Sequence, residues 1–588
     1  MRLEDMGVIG NCQYSALVDH RGEIVWCCLP RFDSEPVFST LLDTESGGRF
    51  RIGPANGETG ALRYIQNTNV LENVFQTPTG SFRVIDFAPR FLQFDRAFRP
   101  TQLIRIVEPI EGTPRISTVC EPRLGWTKQR PPIVPGSHHV RYEGFASQLR
   151  LTTDIPISYL GGKPFSLTER RHFVLSWGSP VEEPLAPLCE RFLNETTRYW
   201  QIWVKHCDIP PLFQREVIRS ALTLKLHCFE DTGAMIAAMT TSIPESPGTA
   251  RTWDYRYCWL RDSYYALGAF GLLGHFEERE DFVRYLLNVA GGAPGLNLAP
   301  LYAVDGSSNL AESILDEWPG YEGEGPVRIG NAAAKHLQHD VYGEMVLALT
   351  PIFLDERMNA ERSRAAFNLI ESLARKAVSL AGAPDAGIWE YRTEWKPQTF
   401  SSLMCWAAAD RMAGIAKLHA PASVAEFRAS AELIHAQICS QAWSAKKGSF
   451  AGHYGGDELD AALLQIARLR FLPKGDARLR GTVDAIRRDL TRDGWLLRYQ
   501  LNDGFGTPNV AFILCTFWLV EALVASGRRV EAQKLFESIR GVVSPLGLLS
   551  EDYDAKTHRM WGNFPQAYSH VGLIHAAFAA SPQWAEVL

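Results

Sequence analysis

Two glutamates far apart in the chain have the setting that paired-carboxylate chemistry requires. Glu390 stands in Asp385-Ala-Gly-Ile-Trp-Glu-Tyr-Arg392, next to Ile388, Trp389 and Tyr391. A carboxyl among such neighbours is expected to be partly desolvated, which raises its pKa toward what a general acid needs near neutral pH. The plain alternative is a surface glutamate paired with Arg392 or Lys396. Glu551, in Gly547-Leu-Leu-Ser-Glu-Asp-Tyr-Asp554, is the natural second carboxylate. Inverting glycosidases hold two carboxyls roughly 6.5–9.5 Å apart, one to protonate the leaving oxygen and one to activate a water. Two separate loops can supply such a gap.

Other segments carry groups suited to sugar hydroxyls. Thr252-Trp-Asp-Tyr-Arg-Tyr-Cys-Trp-Leu-Arg-Asp262 ends in the pair Arg261 and Asp262. That pair alone reads equally as a first-turn acid with its salt-bridge partner. Beside Trp253, Tyr255, Tyr257 and Trp259, it also supplies a donor, an acceptor and stacking faces. Further on come Glu317-Trp-Pro-Gly-Tyr321 and Pro326-Val-Arg-Ile-Gly-Asn331, where Trp318 is a candidate sugar platform. Arg328 and Asn331 suit hydroxyl binding or loop pinning. His336, His339 and Asp340 have helical metal-ligand spacing, but nothing nearby completes a coordination sphere, so no metal is expected. Asp457 reads as a helix cap, and Asn502-Asp-Gly-Phe-Gly-Thr-Pro508 as turn chemistry.

These segments need a frame to bring them together. Roughly the first 185 residues read as β: short apolar runs such as Ile24–Leu29, Phe82–Phe87, Leu103–Val107 and Phe173–Trp177 recur between Gly and Pro turns, as in an antiparallel sandwich. Leu188–Val204 reads as a linking helix. Beyond Pro211 the period changes to twelve helical segments, near 213–230, 262–274, 276–290, 333–352, 361–381, 400–418, 424–442, 459–469, 477–491, 510–526, 528–541 and 567–580. Joints between them alternate short and long, so helix pairs running up and down put every long connection at one end. The candidate residues lie in those long connections. Segments such as 511–525 are apolar nearly all round and belong inside, whereas 477–490 carries charge on one face.

The 588 residues suffice for two or three cores; 46% are apolar and 21% charged. A net charge of −6 with no basic run gives no footprint for nucleic acid. No signal peptide or membrane span is apparent, and eleven scattered Cys suit reduced thiols, so a cytoplasmic location is expected.

The chain resembles glycoside hydrolase family 15, the glucoamylases, bacterial trehalases and related exo-glucosidases. The resemblance rests on ordered segments along the whole length: Gly7–Asn11, Ile24–Asp33, Tyr257–Asp262, Pro326–Asn331, Asp340–Glu344, Gly387–Glu390, Met404–Trp406, Asp457–Asp460, Cys515–Trp518, Leu548–Asp552 and Gly562–Gln566. It implies an N-terminal β-supersandwich over 1–187, a linker helix over 188–210 and an (α/α)6 barrel over 211–588. It implies that Glu390 protonates the glycosidic oxygen and Glu551 deprotonates water, releasing β-glucose without a cofactor. Arg261 and Asp262 match the pair holding the non-reducing glucose, Tyr255 the tyrosine beside the oxocarbenium-like centre, and Trp259, Arg328 and Trp389 positions lining that subsite. His336 and Ser402 depart from the pattern, where Gln and Lys are expected in many bacterial relatives. Trehalose, isomaltose and short maltooligosaccharides are the substrates implied. Two other readings fit the same frame. An inverting phosphorylase would carry a phosphate pocket and dispense with Glu551, while a non-catalytic sugar-binding protein would need neither glutamate.

Overall fold

The structure, a computed structural model, describes Met1–Leu588. Its first part is built from two antiparallel sheets. One runs in the order Met6–Gly10, Ser15–Asp19, Glu23–Cys28, Arg49–Pro54, Arg115–Glu121, Phe165–Ser166, with Pro36–Phe38 also paired to Glu23–Cys28. The other runs Ile133–Pro135, His139–Tyr142, Leu149–Thr153, Arg171–Trp177, Gln102–Gly112, Gly80–Phe87, Leu71–Thr77, Ala61–Tyr64. Leu149–Thr153 alternates buried and half-buried residues, as a strand with one core face must. Glu23–Cys28 is buried throughout, because the helical part covers its second face: the Trp26 indole N–H donates to Met239 O at 2.8 Å. Arg105 ties the sheets together. Its guanidinium bonds Asp86 on a neighbouring strand and reaches Gly22 O and Phe50 O of the opposite sheet at 2.8 and 2.7 Å.

Helix α1 (Leu185–Lys205) presents Leu188, Cys189 and Phe192 at helical spacing, and these pack on Phe87, Ile104 and Val174 of the second sheet and on Phe91 of the short ribbon Phe91–Phe98. Twelve further helices follow before a last short turn of helix at Trp584–Val587: α2 (Gln214–Lys225), α3 (Leu260–Leu272), α4 (Glu277–Gly291), α5 (Asp340–Leu354), α6 (Arg364–Leu380), α7 (Thr399–His419), α8 (Val424–Gln441), α9 (Gln465–Leu469), α10 (Ala477–Leu490), α11 (Ile513–Ala525), α12 (Arg529–Arg540) and α13 (Ala567–Ala580). Six of them pack in a closed succession: α3 on α5, α5 on α7, α7 on α9, α9 on α11, α11 on α13, and α13 back on α3. The others lie outside, α2 on α13, α4 and α6 against their neighbours, α8 on α7, α10 and α12 on α11. Sequence and position agree. Residues Ile513 to Leu523 of α11 are buried except Glu521, as for a helix walled in on every side, while α6 buries only Ala366, Phe367, Leu369, Ile370, Leu373, Ala374 and Ala377. Helices α5 and α7 touch so closely at Gly343 that a Cβ there would lie 2.2 Å from Met404 O.

Three helix boundaries differ from the sequence expectation by five residues or more. The segment expected from 333 begins at Asp340, because Asn331 accepts from Ala333 N to start a separate turn over Ala332–Lys335 that ends in extended His336. The segment expected from 459 becomes a tight turn, Ala461–Leu464, before α9. The first segment stops at Lys225, since Cys228–Phe229 pairs with Ala234–Met235. No helix is long and apolar enough to cross a membrane.

Candidate active site

All six long connections meet at one end of the helices. Glu390, in the connection from α6 to α7, sits in a tight turn closed by Glu390 N–H to Gly387 O at 3.1 Å and Tyr391 N–H to Ala386 O at 3.0 Å. Its φ of 59° is left-handed, a conformation that costs a non-glycine residue roughly 1–2 kcal/mol and that persists where surroundings enforce it. Three donors converge on Oε1: Trp259 Nε1 at 2.7 Å, Arg261 at 3.1 Å and Gln338 Nε2 at 3.1 Å. No protein donor reaches Oε2. The apolar setting expected from the flanking residues is therefore not what the carboxylate meets. Trp389 donates to Asp460 at 2.8 Å while its ring lines the same pocket as Glu390, and Tyr391 packs on Tyr499. Burial in turn pushes the Asp460 carboxyl up to about 7.

Glu551 lies between α12 and α13, and its backbone is held on both sides, by Ile513 N–H to its carbonyl at 3.0 Å and by its own N–H to Asn563 O at 3.3 Å. The Tyr255 hydroxyl donates to Oε1 at 2.8 Å; Oε2 is buried without a partner. Burial pushes this carboxyl up, and the nearby Glu245 charge pushes in the same direction. Gly562 is what makes room for it. Its φ is 73°, and a Cβ there would stand 2.6 Å from Glu551 Cβ, 2.7 Å from Oε2 and 3.0 Å from Asp552 Oδ2. The two glutamates are joined through aromatic rings, since Tyr255, bonded to Glu551, meets Trp259, bonded to Glu390, edge-on at 5.3 Å.

Both carboxylates face one inner pocket, walled also by Tyr255, Trp259, Arg261, Asp262, Trp389, Arg498, Phe512, Gln566 and Tyr568. Arg261 is oriented by Gln338 at 2.5 Å and Asp340 at 3.4 Å. Asp262 is buried, which raises its pKa to about 7 despite the opposing pull of Arg261. A second, outer pocket shares Tyr255, Trp389, Glu390 and Arg498, and adds Glu245, Arg251, Trp253, Asn331, Tyr391, Arg392, Tyr499, Asp503 and Phe505. Its far side is latched. Arg251 bonds Asp503 at 2.5 Å and Gly506 O at 2.8 Å, while Arg392 bonds Glu312 at 2.9 Å and lies 4.4 Å over the Trp253 ring.

The loop carrying Tyr255 is also bound to the β part. Buried Arg256 chelates Asp254 at 2.9 and 2.7 Å, donates to Ser34 O at 2.7 Å, and lies 5.3 Å from the Trp126 ring.

Of the residues singled out in the sequence, Tyr255, Trp259, Arg261, Asp262, Trp389, Glu390 and Glu551 line the inner pocket. Trp318 does not. Its indole packs edge-on to Trp126 at 5.3 Å and donates to Trp126 O at 3.1 Å, so the ring fastens its loop to the β part instead of facing a sugar. Arg328 lines neither pocket; it bonds Glu312 at 3.0 Å and stacks behind Trp253 at 5.1 Å. His336 and Ser402, the two departures from the family pattern, are also outside both pockets. Sequence reasoning missed Arg498, Glu245, Gln338 and Tyr568. Arg498 carries a signal in the sequence, a lone charge in the apolar run Trp495-Leu-Leu-Arg-Tyr499, just ahead of the more conspicuous turn residues.

Residues 213–578 match the model of the glycosyl hydrolases family 15, and residues 1–154 match the trehalase-like N-terminal model. A trehalase of Mycolicibacterium smegmatis is 35% identical over 609 aligned residues, spanning 98% of this chain and 90% of that protein. A trehalase of Thermoplasma volcanium is 32% identical over 592, spanning 98% and 93%. Among solved structures, a bacterial glucoamylase complexed with acarbose shares the fold, with a TM-score of 0.68 at 13% identity over 98% of this chain and 94% of that one.

Proposed function

The chain belongs to the glycosyl hydrolases of family 15, and from that premise we propose that it is an inverting, exo-acting hydrolase of small α-glucosides, with trehalose as its main substrate and β-glucose as the product of the cleaved unit. The observation that carries this reading is the pair Glu390 and Glu551, brought from different connections onto one pocket and linked through Trp259 and Tyr255. The names of the relatives favour trehalose, and the latched outer pocket favours a two-sugar substrate over a long chain.

In this mechanism Glu390 starts protonated on Oε2, since Oε1 is occupied by three donors. It gives that proton to the glycosidic oxygen as the bond to the sugar carbon breaks. A water on the opposite ring face attacks the carbon and gives its proton to Oε2 of Glu551, whose Oε1 stays bonded to Tyr255. Tyr255 and the carboxylates stabilise the developing positive charge. Arg261, Asp262, Trp259 and Trp389 hold the non-reducing glucose, and the second sugar occupies the outer pocket. Arg328 acts only from behind, through Trp253 and Glu312. No step calls for a metal or organic cofactor.

The same reading takes 1–187 as a β-supersandwich domain, 188–210 as a linker helix and 211–588 as an (α/α)6 barrel, supported by the closed succession of inner helices and the glucoamylase likeness. A cytoplasmic location is supported by eleven unpaired cysteines.

The test is glucose release from trehalose by wild type, Glu390→Gln and Glu551→Gln, with the anomers followed by NMR. Each variant is expected to lose about 10²–10⁴-fold or more in kcat with an unchanged melting curve. Wild type is expected to yield one β-glucose for each α-glucose. Only α-glucose at early times overturns inversion, and a sugar phosphate formed in phosphate buffer overturns hydrolysis.

A further inference from the structure

Next to Glu551 lies a carboxylate that the mechanism does not use. Asp552 is fully buried, and neither of its oxygens has a hydrogen-bond partner. Its Oδ2 and Glu551 Oε2 stand 3.0 and 2.7 Å from the same point, the position of a Cβ on Gly562, so the two oxygens are within about 6 Å of each other.

The charges around the pair do not balance. Four buried carboxylates, Glu245, Asp503, Glu551 and Asp552, face two guanidiniums, Arg251 and Arg498. Glu245 takes Arg498, Arg251 and the Trp253 indole N–H; Asp503 takes Arg251, the Tyr499 hydroxyl and Phe505 N–H. Both cations are thereby committed. Arg498 comes no nearer to Asp552 than 3.9 Å. Cys515, close enough to feel the Asp552 charge, is a buried thiol whose pKa is raised, and it adds no positive charge. Two anions side by side in such a site are strongly disfavoured, so the pair keeps one proton. Tyr255 decides where: it donates to Glu551, which favours that anion, while nothing donates to Asp552.

We propose that Asp552 is a positioning residue that carries the pair's proton through the catalytic cycle, so that Glu551 beside it stands ionised and ready to accept a proton from water. Burial and the Glu551 charge both push the Asp552 carboxyl far upward, in keeping with this assignment. The inference rests on the reading of Glu551 as the base.

The experiment is the pH profile of kcat on trehalose for the full-length enzyme and Asp552→Asn. An amide replaces a neutral acid without changing charge, so the acid limb, which reports Glu551, is expected to stay within about half a pH unit of its wild-type position. Were Asp552 ionised in the wild type, removing its charge from within about 6 Å would move that limb down by about two pH units, at an effective dielectric near 20. Such a shift overturns the proposal. Infrared difference spectra between wild type and Asp552→Asn give a second readout independent of turnover. At neutral pH the carbonyl band of a protonated carboxylic acid is expected to disappear, and loss of a carboxylate band instead overturns the proposal. Full activity in Glu551→Gln would remove the base assignment itself, which neither Asp552 outcome does.

Discussion

Replacing Gly562 by alanine tests whether the base is held by shape as well as by hydrogen bonds. The added methyl would stand 2.6 Å from Glu551 Cβ, where ordinary contact begins near 3.4 Å, so the glutamate side chain or its backbone must retreat by about 0.8 Å. The positive φ of 73° adds about 1–2 kcal/mol of backbone cost, which lowers stability without preventing folding in a chain of this size. A displacement approaching 1 Å at a reacting group costs on the order of 10²-fold in rate. Gly562→Ala is therefore expected to lose about 10²-fold in kcat on trehalose, with KM changed far less, because Arg261, Asp262 and the aromatic walls are untouched. Stopped-time glucose assays give the kinetics, and thermal melts monitored by circular dichroism give the folded fraction. A variant that melts a few degrees lower yet turns over at the wild-type rate would refute the reasoning, since it would mean that the position of Glu551 tolerates the shift.

Two further substitutions probe groups outside the chemistry. Asp460 has a pKa of about 7 when folded against 3.8 for a free side chain, so its favourable contribution is complete below pH 4 and is lost as pH climbs through 7. Asp460→Asn is accordingly expected to match wild type in stability at pH 4 and to exceed it by up to about 4 kcal/mol at pH 8, measured by denaturant unfolding; an equal gap at both values would exclude the assignment. Arg105→Met strands the buried Asp86 and two carbonyls, and is expected to cost about 3–5 kcal/mol, with part regained in Arg105→Met/Asp86→Leu; a single-variant loss under 1 kcal/mol would contradict the role given to this pair.

Much of this architecture was legible because it is written in periodicity. The twelve helical segments could be counted from apolar spacing, and the alternation of joint lengths already assigned the site to one end. Boundaries were lost where a side chain interrupts the backbone pattern, as when Asn331 starts a turn of its own ahead of α5. Residues whose partners lie far off in the chain were the hardest to read. Trp389 and Tyr391 adjoin Glu390 and suggest an apolar setting, but in its left-handed turn the carboxylate also meets donors from residues 259, 261 and 338, far off in the chain. Trp318 reads as a sugar platform on its residue type alone, and only its tertiary contact with Trp126 shows another use. Arg498 and Asp552 matter through a local charge balance, which no single segment reveals.

Arg256, clasped between Asp254 and the carbonyl of Ser34, changes what counts as the working unit of this molecule. It is the residue next to Tyr255, so the hydroxyl that steadies Glu551 is set partly by a turn between two strands more than two hundred positions upstream. Trimming the chain to its helices would leave that tyrosine without an anchor. Grafting these helices onto a foreign β partner would demand a matching socket for one guanidinium. The sheets are thus inherited with the reaction, and their loosening should be felt first in turnover.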